Sequence, residues 1–161
     1  MKTIIFFMLI LINAVAVEAQ TSPVKLLIGE NDTTVVKYFD ELKQSFLNNQ
    51  YVVTEKGTAN DGSLTLTFST PTSEEHKTNS LSIIALFSRV NKQEICVRQL
   101  VMGTDKSATE NLNFVKDTFK KIDENKWYMK MPQMPIFGVI ANFYKEDKYY
   151  RMVYDFTDKK F

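Results

Sequence analysis

Two stretches of the chain carry hydrophobic residues at helical spacing. Within residues 31–49 and again within 107–122, the apolar positions recur at steps of three and four, which predicts one amphipathic helix in each. Asn31 or Asp32 can cap the first helix, and Ser107 with Glu110 forms a capping-box pattern for the second. The apolar positions are Val35, Phe39, Leu42 and Phe46 in the first helix and Ala108, Leu112, Val115, Phe119 and Ile122 in the second.

The remaining hydrophobic segments are short and favour strands. The turn signal Asn60-Asp61-Gly62 separates residues 51–56 from residues 63–69, in which apolar residues alternate with polar ones, so these two segments predict a hairpin. Residues 81–90 and 94–102 predict two further strands joined through a polar turn. In the first of these both faces carry apolar residues, which suits a central strand. Three late segments complete the set, at residues 126–131, 136–145 and 149–156.

This order predicts an α+β fold: an antiparallel sheet, or two, of about six to seven strands with two helices packed on one face, in the order α-ββββ-α-βββ. Short connections between successive strands require antiparallel pairing. The helical segments "LKQSF" at 42–46 and "VKDTF" at 115–119 are alike, with their apolar residues in the same phase. A duplicated helix-plus-strands unit would explain this likeness, and so would the general similarity of amphipathic helices.

The N-terminal residues have the order of a secretory signal peptide. Lys2 precedes an apolar run from Ile4 to Ile12, and small residues follow up to Ala19. The run is shorter than the ~20 residues that span a bilayer. We therefore expect a signal peptide over residues 1–19, one α+β domain over residues 20–161, no membrane span, and a secreted or periplasmic location.

The composition of the chain argues against several classes of function. The chain has 20 basic and 19 acidic residues, so it lacks the strongly basic character of a nucleic-acid-binding domain. Its five glycines are too far apart for a phosphate-binding loop, and no cofactor is predicted. Cys96 is the only cysteine, which excludes a disulfide within the chain. Its apolar neighbours favour burial, and on a regular strand it would share a face with Arg98.

The only histidine, His76, follows Glu74 and Glu75 in the polar segment 70–80. Histidine and carboxylates together can carry out acid-base chemistry, so a hydrolase using His76 is one alternative. Adjacent residues of an extended loop point in different directions, however, and the segment has the composition of an exposed turn. A second alternative is Cu(I) binding by the thioethers of Met129, Met131 and Met134, for which packing is the simpler explanation.

Aromatic residues cluster late in the chain and provide the main functional hypothesis. The sequence favours binding over catalysis and predicts no catalytic residue and no metal ligand. The expected ligand is a protein partner or an apolar small molecule, held by the sheet face that bears the late tyrosines. The residues predicted to bind it are Trp127, Tyr149, Tyr150 and Tyr154.

Overall fold

A computed structural model describes residues 24–45, 52–70, 81–132, 136–146 and 149–159. The helices are α1 (Asp32–Ser45) and α2 (Asp105–Thr118). The strands are β1 (Val53–Thr58), β2 (Leu64–Ser69), β3 (Leu81–Val90), β4 (Gln93–Gly103), β5 (Lys120–Asp123), β6 (Lys126–Lys130), β7 (Gly138–Glu146) and β8 (Tyr149–Thr157). The predicted signal peptide and His76 lie outside the described residues.

The described strands form one antiparallel sheet of eight strands in the order β1-β2-β3-β4-β8-β7-β6-β5. The predicted fold class is confirmed, with one strand more than expected. The additional strand is β5, whose residues the apolar spacing predicts as the end of the second helix because Ile122 continues that spacing. The helix instead stops at Thr118, and Phe119 adopts an extended conformation while its N–H still bonds to Val115 O.

Both helices pack on the same face of the sheet, which we call the covered face. Phe39 of α1 contacts Phe68 of β2, with ring centroids 5.7 Å apart, and Phe119 after α2 lies 6.2 Å from Tyr154 of β8. The other helix positions in this core are Val35 and Val115, as the helical spacing predicted. The central strands contribute alternate buried side chains to the same face, namely Ile83, Ala85, Phe87, Val101, Val139, Ala141 and Met152.

A segment before α1, residues 24–28, completes the core. Leu27 is fully buried, and Val24 and Ile28 are nearly so. The segment is held by the buried side chain of Gln99, whose Oε1 accepts the Leu27 N–H at 2.8 Å and whose Nε2 donates to Lys25 O at 2.9 Å. Because both polar ends of Gln99 are paired, this amide can lie in an apolar core without a large desolvation penalty.

The two halves of the described part of the chain have the same architecture. Each consists of a 14-residue helix followed by four strands, and the sheet order reads the same from either edge. The axis relating the halves passes between β4 and β8, where Gln99 pairs with Tyr154. The repeated form that the likeness of the two helical segments suggested is therefore present in the fold.

On the face opposite the helices, Tyr128 of β6 lies against Gly138 of β7. A Cβ atom added to Gly138 would come within 2.2 Å of Tyr128 Cε2, so only glycine leaves room for this ring. The ring is consequently pressed onto the sheet and largely buried, with 9% of its surface exposed.

We expect Gly138→Ala to lower the free energy of unfolding by about 1–3 kcal/mol, the usual cost of overpacking, as measured by urea denaturation. In a double-mutant cycle, Tyr128→Ala removes the ring with which the added methyl group clashes. The double mutant should therefore be destabilised by less than the sum of the two single substitutions. Fully additive effects would show that the Tyr128 ring does not occupy this position.

Candidate functional site: the bare face of the sheet

The face opposite the helices has no described element packed on it, and we call it the bare face. The strand register defines its side chains, because directly paired residues on neighbouring strands point to the same side. One row of paired residues crosses six strands from β2 to β6. Its members are Thr67, Ile84, Leu100, Val153, Asn142 and Lys126.

The centre of the bare face is aliphatic. Ile84, Leu100 and Val153 are consecutive in that row, and all three remain partly accessible. Leu86, Ile140 and Met102 lie in the two adjacent rows. A solvated sheet face is usually polar, so a contiguous aliphatic strip of this kind is typical of an interaction surface.

Aromatic and cationic side chains surround the end of the β7–β8 hairpin. On the bare face, the Arg151 guanidinium lies 5.0 Å from the ring centre of Tyr144, and Tyr149 is 39% exposed. On the covered face, Phe143 stacks with Tyr150 at 5.7 Å, and Lys145 Nζ lies 5.4 Å from the Tyr150 ring. These cation-π contacts keep the aromatic rings oriented at the margin of the sheet.

The four residues predicted to bind a ligand lie in different surroundings. Trp127 and Tyr154 are core residues, 4% and 1% exposed, and burial raises the pKa of the Tyr154 hydroxyl. Tyr150 lies at the margin of the covered face, and Tyr149 lies on the bare face opposite Glu146. The sheet therefore does not bring the four together on one surface, and their role in binding stays a prediction.

Sequence reasoning missed the aliphatic strip as a surface, although it had noted apolar residues on both faces of β3. The missing information was which face the helices cover. Amphipathic helices and alternating strands are compatible with either arrangement until the register of all eight strands is known.

Cys96 lies on the covered face and is fully buried. An irregularity in the β3–β4 register, where Leu86 pairs with Arg98 and Phe87 with Cys96, makes Val97 an extra residue. The bulge turns Arg98 to the bare face, where it forms an ion pair with Asp155. The expectation that Cys96 and Arg98 share a strand face was therefore wrong, and Arg98 is not positioned to activate the thiol.

The residues of the other candidate chemistries lie only partly within the described part of the chain. No group of three or more His, Cys, Asp or Glu residues there could hold a metal ion. Met129 and Met131 pack at the edge of the core, and Met134 lies outside the described residues. Within those same residues, no helix combines the length and apolar character that a membrane crossing requires.

Among the concavities lined by described residues, two are open to solvent. One of about 630 Å³ lies between the start of α1 and the β3–β4 turn, lined by polar and charged residues that include Asp32, Arg89 and Lys92. The other, of about 410 Å³, lies beside the aromatic hairpin end and is lined by Asn125, Phe143, Tyr144 and Lys145.

Comparison with known proteins gives no relative: no family model matches the sequence, and no curated protein and no solved structure shows significant similarity to the chain. The functional argument consequently depends on the geometry of the molecule.

Burial raises the pKa of the Cys96 thiol to about 12, so the folded protein should hold it protonated and shielded. Iodoacetamide at pH 8.5 should label Cys96 only after denaturation, as detected by mass spectrometry. The folded state retains this proton above the ordinary pKa of 9.0, so the free energy of unfolding should fall as the pH rises from about 9 towards 12. Rapid labelling of the native protein would contradict the buried position.

Proposed function

We propose that this chain is an exported, non-enzymatic binding protein that holds a protein partner against the bare face of its sheet. The observation that carries the proposal is the aliphatic strip formed by Ile84, Leu100 and Val153, which lies at the centre of a sheet face that no described element covers. The exported location is supported by the signal-peptide pattern of residues 1–19.

The dimensions of the bare face suit a protein partner. Eight strands of 4 to 11 residues, spaced ~4.8 Å apart, give a surface of roughly 700–1,000 Å². A stable protein interface of ordinary size buries about 800 Å² on each partner. One side of this sheet can therefore supply a whole interface, with the aliphatic strip in its centre and polar residues at its rim.

A protein partner also fits better than the other candidates. Apolar small molecules are usually bound in largely enclosed apolar pockets, whereas both concavities described above are open and carry charged side chains. Covalent catalysis through Cys96 would require an exposed thiol of low pKa, and this thiol is buried with a raised pKa.

The proposal is tested by photo-crosslinking in an extract of the native source. A photoreactive amino acid at Ser82, on the bare face, should trap a defined partner, whereas the same group at Lys43, on the exposed side of α1, should not. Leu100→Glu should reduce trapping from Ser82 at least tenfold, because it places a charge at the centre of the apolar contact.

A matched substitution one residue along the strand separates binding from folding. Leu100→Glu should destabilise the protein far less than Val101→Glu, because the Leu100 side chain is partly accessible on the bare face, whereas Val101 is buried on the covered face and its replacement should unfold the protein. Trapping from Ser82 that is unaffected by a folded Leu100→Glu variant would contradict the proposed site.

A further inference from the structure

We infer that the surface bound by the bare face is an acidic polypeptide surface, which contacts three lysines on β5 and β6. This inference rests on the proposed function and specifies the chemistry of the partner. The lysines are Lys120, Lys126 and Lys130, and we call them the lysine triad.

The register places the triad on the bare face. Lys126 and Lys130 flank Tyr128 on β6, alternating with Trp127 and Met129, which point to the core. Lys120 pairs with Tyr128 from the edge strand. Along β6 the two lysines are about 13 Å apart, and Lys120 is roughly 8 Å from each. Lys120 thus lies about one Debye length, ~8 Å at physiological ionic strength, from each of the other two lysines, so its field overlaps with theirs.

None of the three lysines forms an ion pair with the described residues. Two carboxylates lie near the triad on this side. Asp155 forms an ion pair with Arg98. Asp123 lies opposite Lys126 in the register and accepts the backbone N–H of Glu124 at 2.8 Å, so it offsets one of the three positive charges. The triad is thus a local positive patch on a chain whose overall charge is only +1.

The internal repeat shows that the fold does not require lysines at these positions. The residues at the equivalent positions in the first half of the sheet are not lysines. Glu55 is equivalent to Lys120, because it pairs with Thr67 as Lys120 pairs with Tyr128. Thr65 and Ser69 are equivalent to Lys126 and Lys130. The same strands with the same neighbours therefore fold with an acidic or neutral residue at each position. The three positive charges are therefore present in only one half of the bare face, and the fold does not depend on them.

Charge complementarity calls for an anionic partner, and the adjoining aliphatic strip favours a polypeptide over a glycan or a nucleic acid. A protein surface can cover the strip and neutralise the triad together. A nucleic-acid-binding surface is typical of a strongly basic domain, whereas this chain has 20 basic and 19 acidic residues.

The test uses a random glutamate-tyrosine copolymer as the probe, with amide chemical shifts of the full protein as the readout. The copolymer should shift the amides of β5 and β6, and raising the salt concentration towards 1 M should weaken its binding. The variant Lys120→Glu/Lys126→Thr/Lys130→Ser, which carries the residues of the other half, should bind roughly tenfold to a hundredfold more weakly. A control with the same charge change elsewhere, Lys43→Glu/Lys116→Thr/Lys159→Ser, should retain most of the affinity.

The reciprocal variant Glu55→Lys/Thr65→Lys/Ser69→Lys should create a second binding region and shift the amides of β1 and β2. Equal weakening in the triad variant and its control would overturn the inference, because net charge alone would then account for binding. Polygalacturonate binding more tightly than the copolymer would also overturn it, in favour of an anionic glycan.

The two proposals can fail separately. If the copolymer binds through the triad while trapping from Ser82 ignores Leu100→Glu, the proposed function fails and the charge assignment stands. If trapping requires Leu100 but tolerates the triad variant, the proposed function stands and the acidic partner is wrong.

Discussion

The structure depends on the packing of two helices and one short segment, residues 24–28, over one face of an eight-stranded sheet. A helix is about 10 Å wide, so two helices with the segment 24–28 beside them span roughly 30 Å, close to the ~34 Å width of eight strands. All of this material lies on one side, where Phe39, Phe119 and Leu27 are buried. The described residues therefore form a core on one face of the sheet, and none of the described helices packs on the other face.

The buried Gln99 shows how this arrangement is held together. It lies at the centre of the sheet, beside the axis that relates the two halves, and its amide binds the segment that fills the core between them. A polar side chain in that position is tolerated because each end has a backbone partner. Tyr154, its counterpart in the second half, instead packs against Phe119. The two halves are thus alike in their backbone and different in their side chains. The charge on the bare face also differs between the two halves.

Much of the fold could be predicted from residue spacing, because helical and strand periods differ clearly where a face is buried. The Asn60-Asp61-Gly62 turn and the bounds of β3 followed directly from such patterns. Strand β5 did not, because Ile122 continues the helical spacing while the backbone has already become extended at Phe119. The bulge at Val97 could not be predicted either. One extra residue in β4 moves Arg98 to the opposite face from Cys96, and the alternation of residue types does not reveal it.

The candidate site was harder to predict than the fold, because it depends on which face is covered. The late aromatic residues are the most prominent candidates in the sequence, yet Trp127 and Tyr154 are buried in the core. The aliphatic residues Ile84, Leu100 and Val153 lie on the bare face and are partly accessible. Side-chain type alone does not distinguish a buried residue from a partly accessible one at adjacent positions of a strand. Only the register of the complete sheet makes that distinction.

The most direct test of the central claim is the relaxation of methyl signals by a soluble paramagnetic probe in the isolated protein. The methyl groups of Ile84, Leu100 and Val153 should be strongly relaxed, and those of Ile83, Val101 and Val139 should be protected. Equal protection of both sets would show that the second face is already covered and would contradict the account.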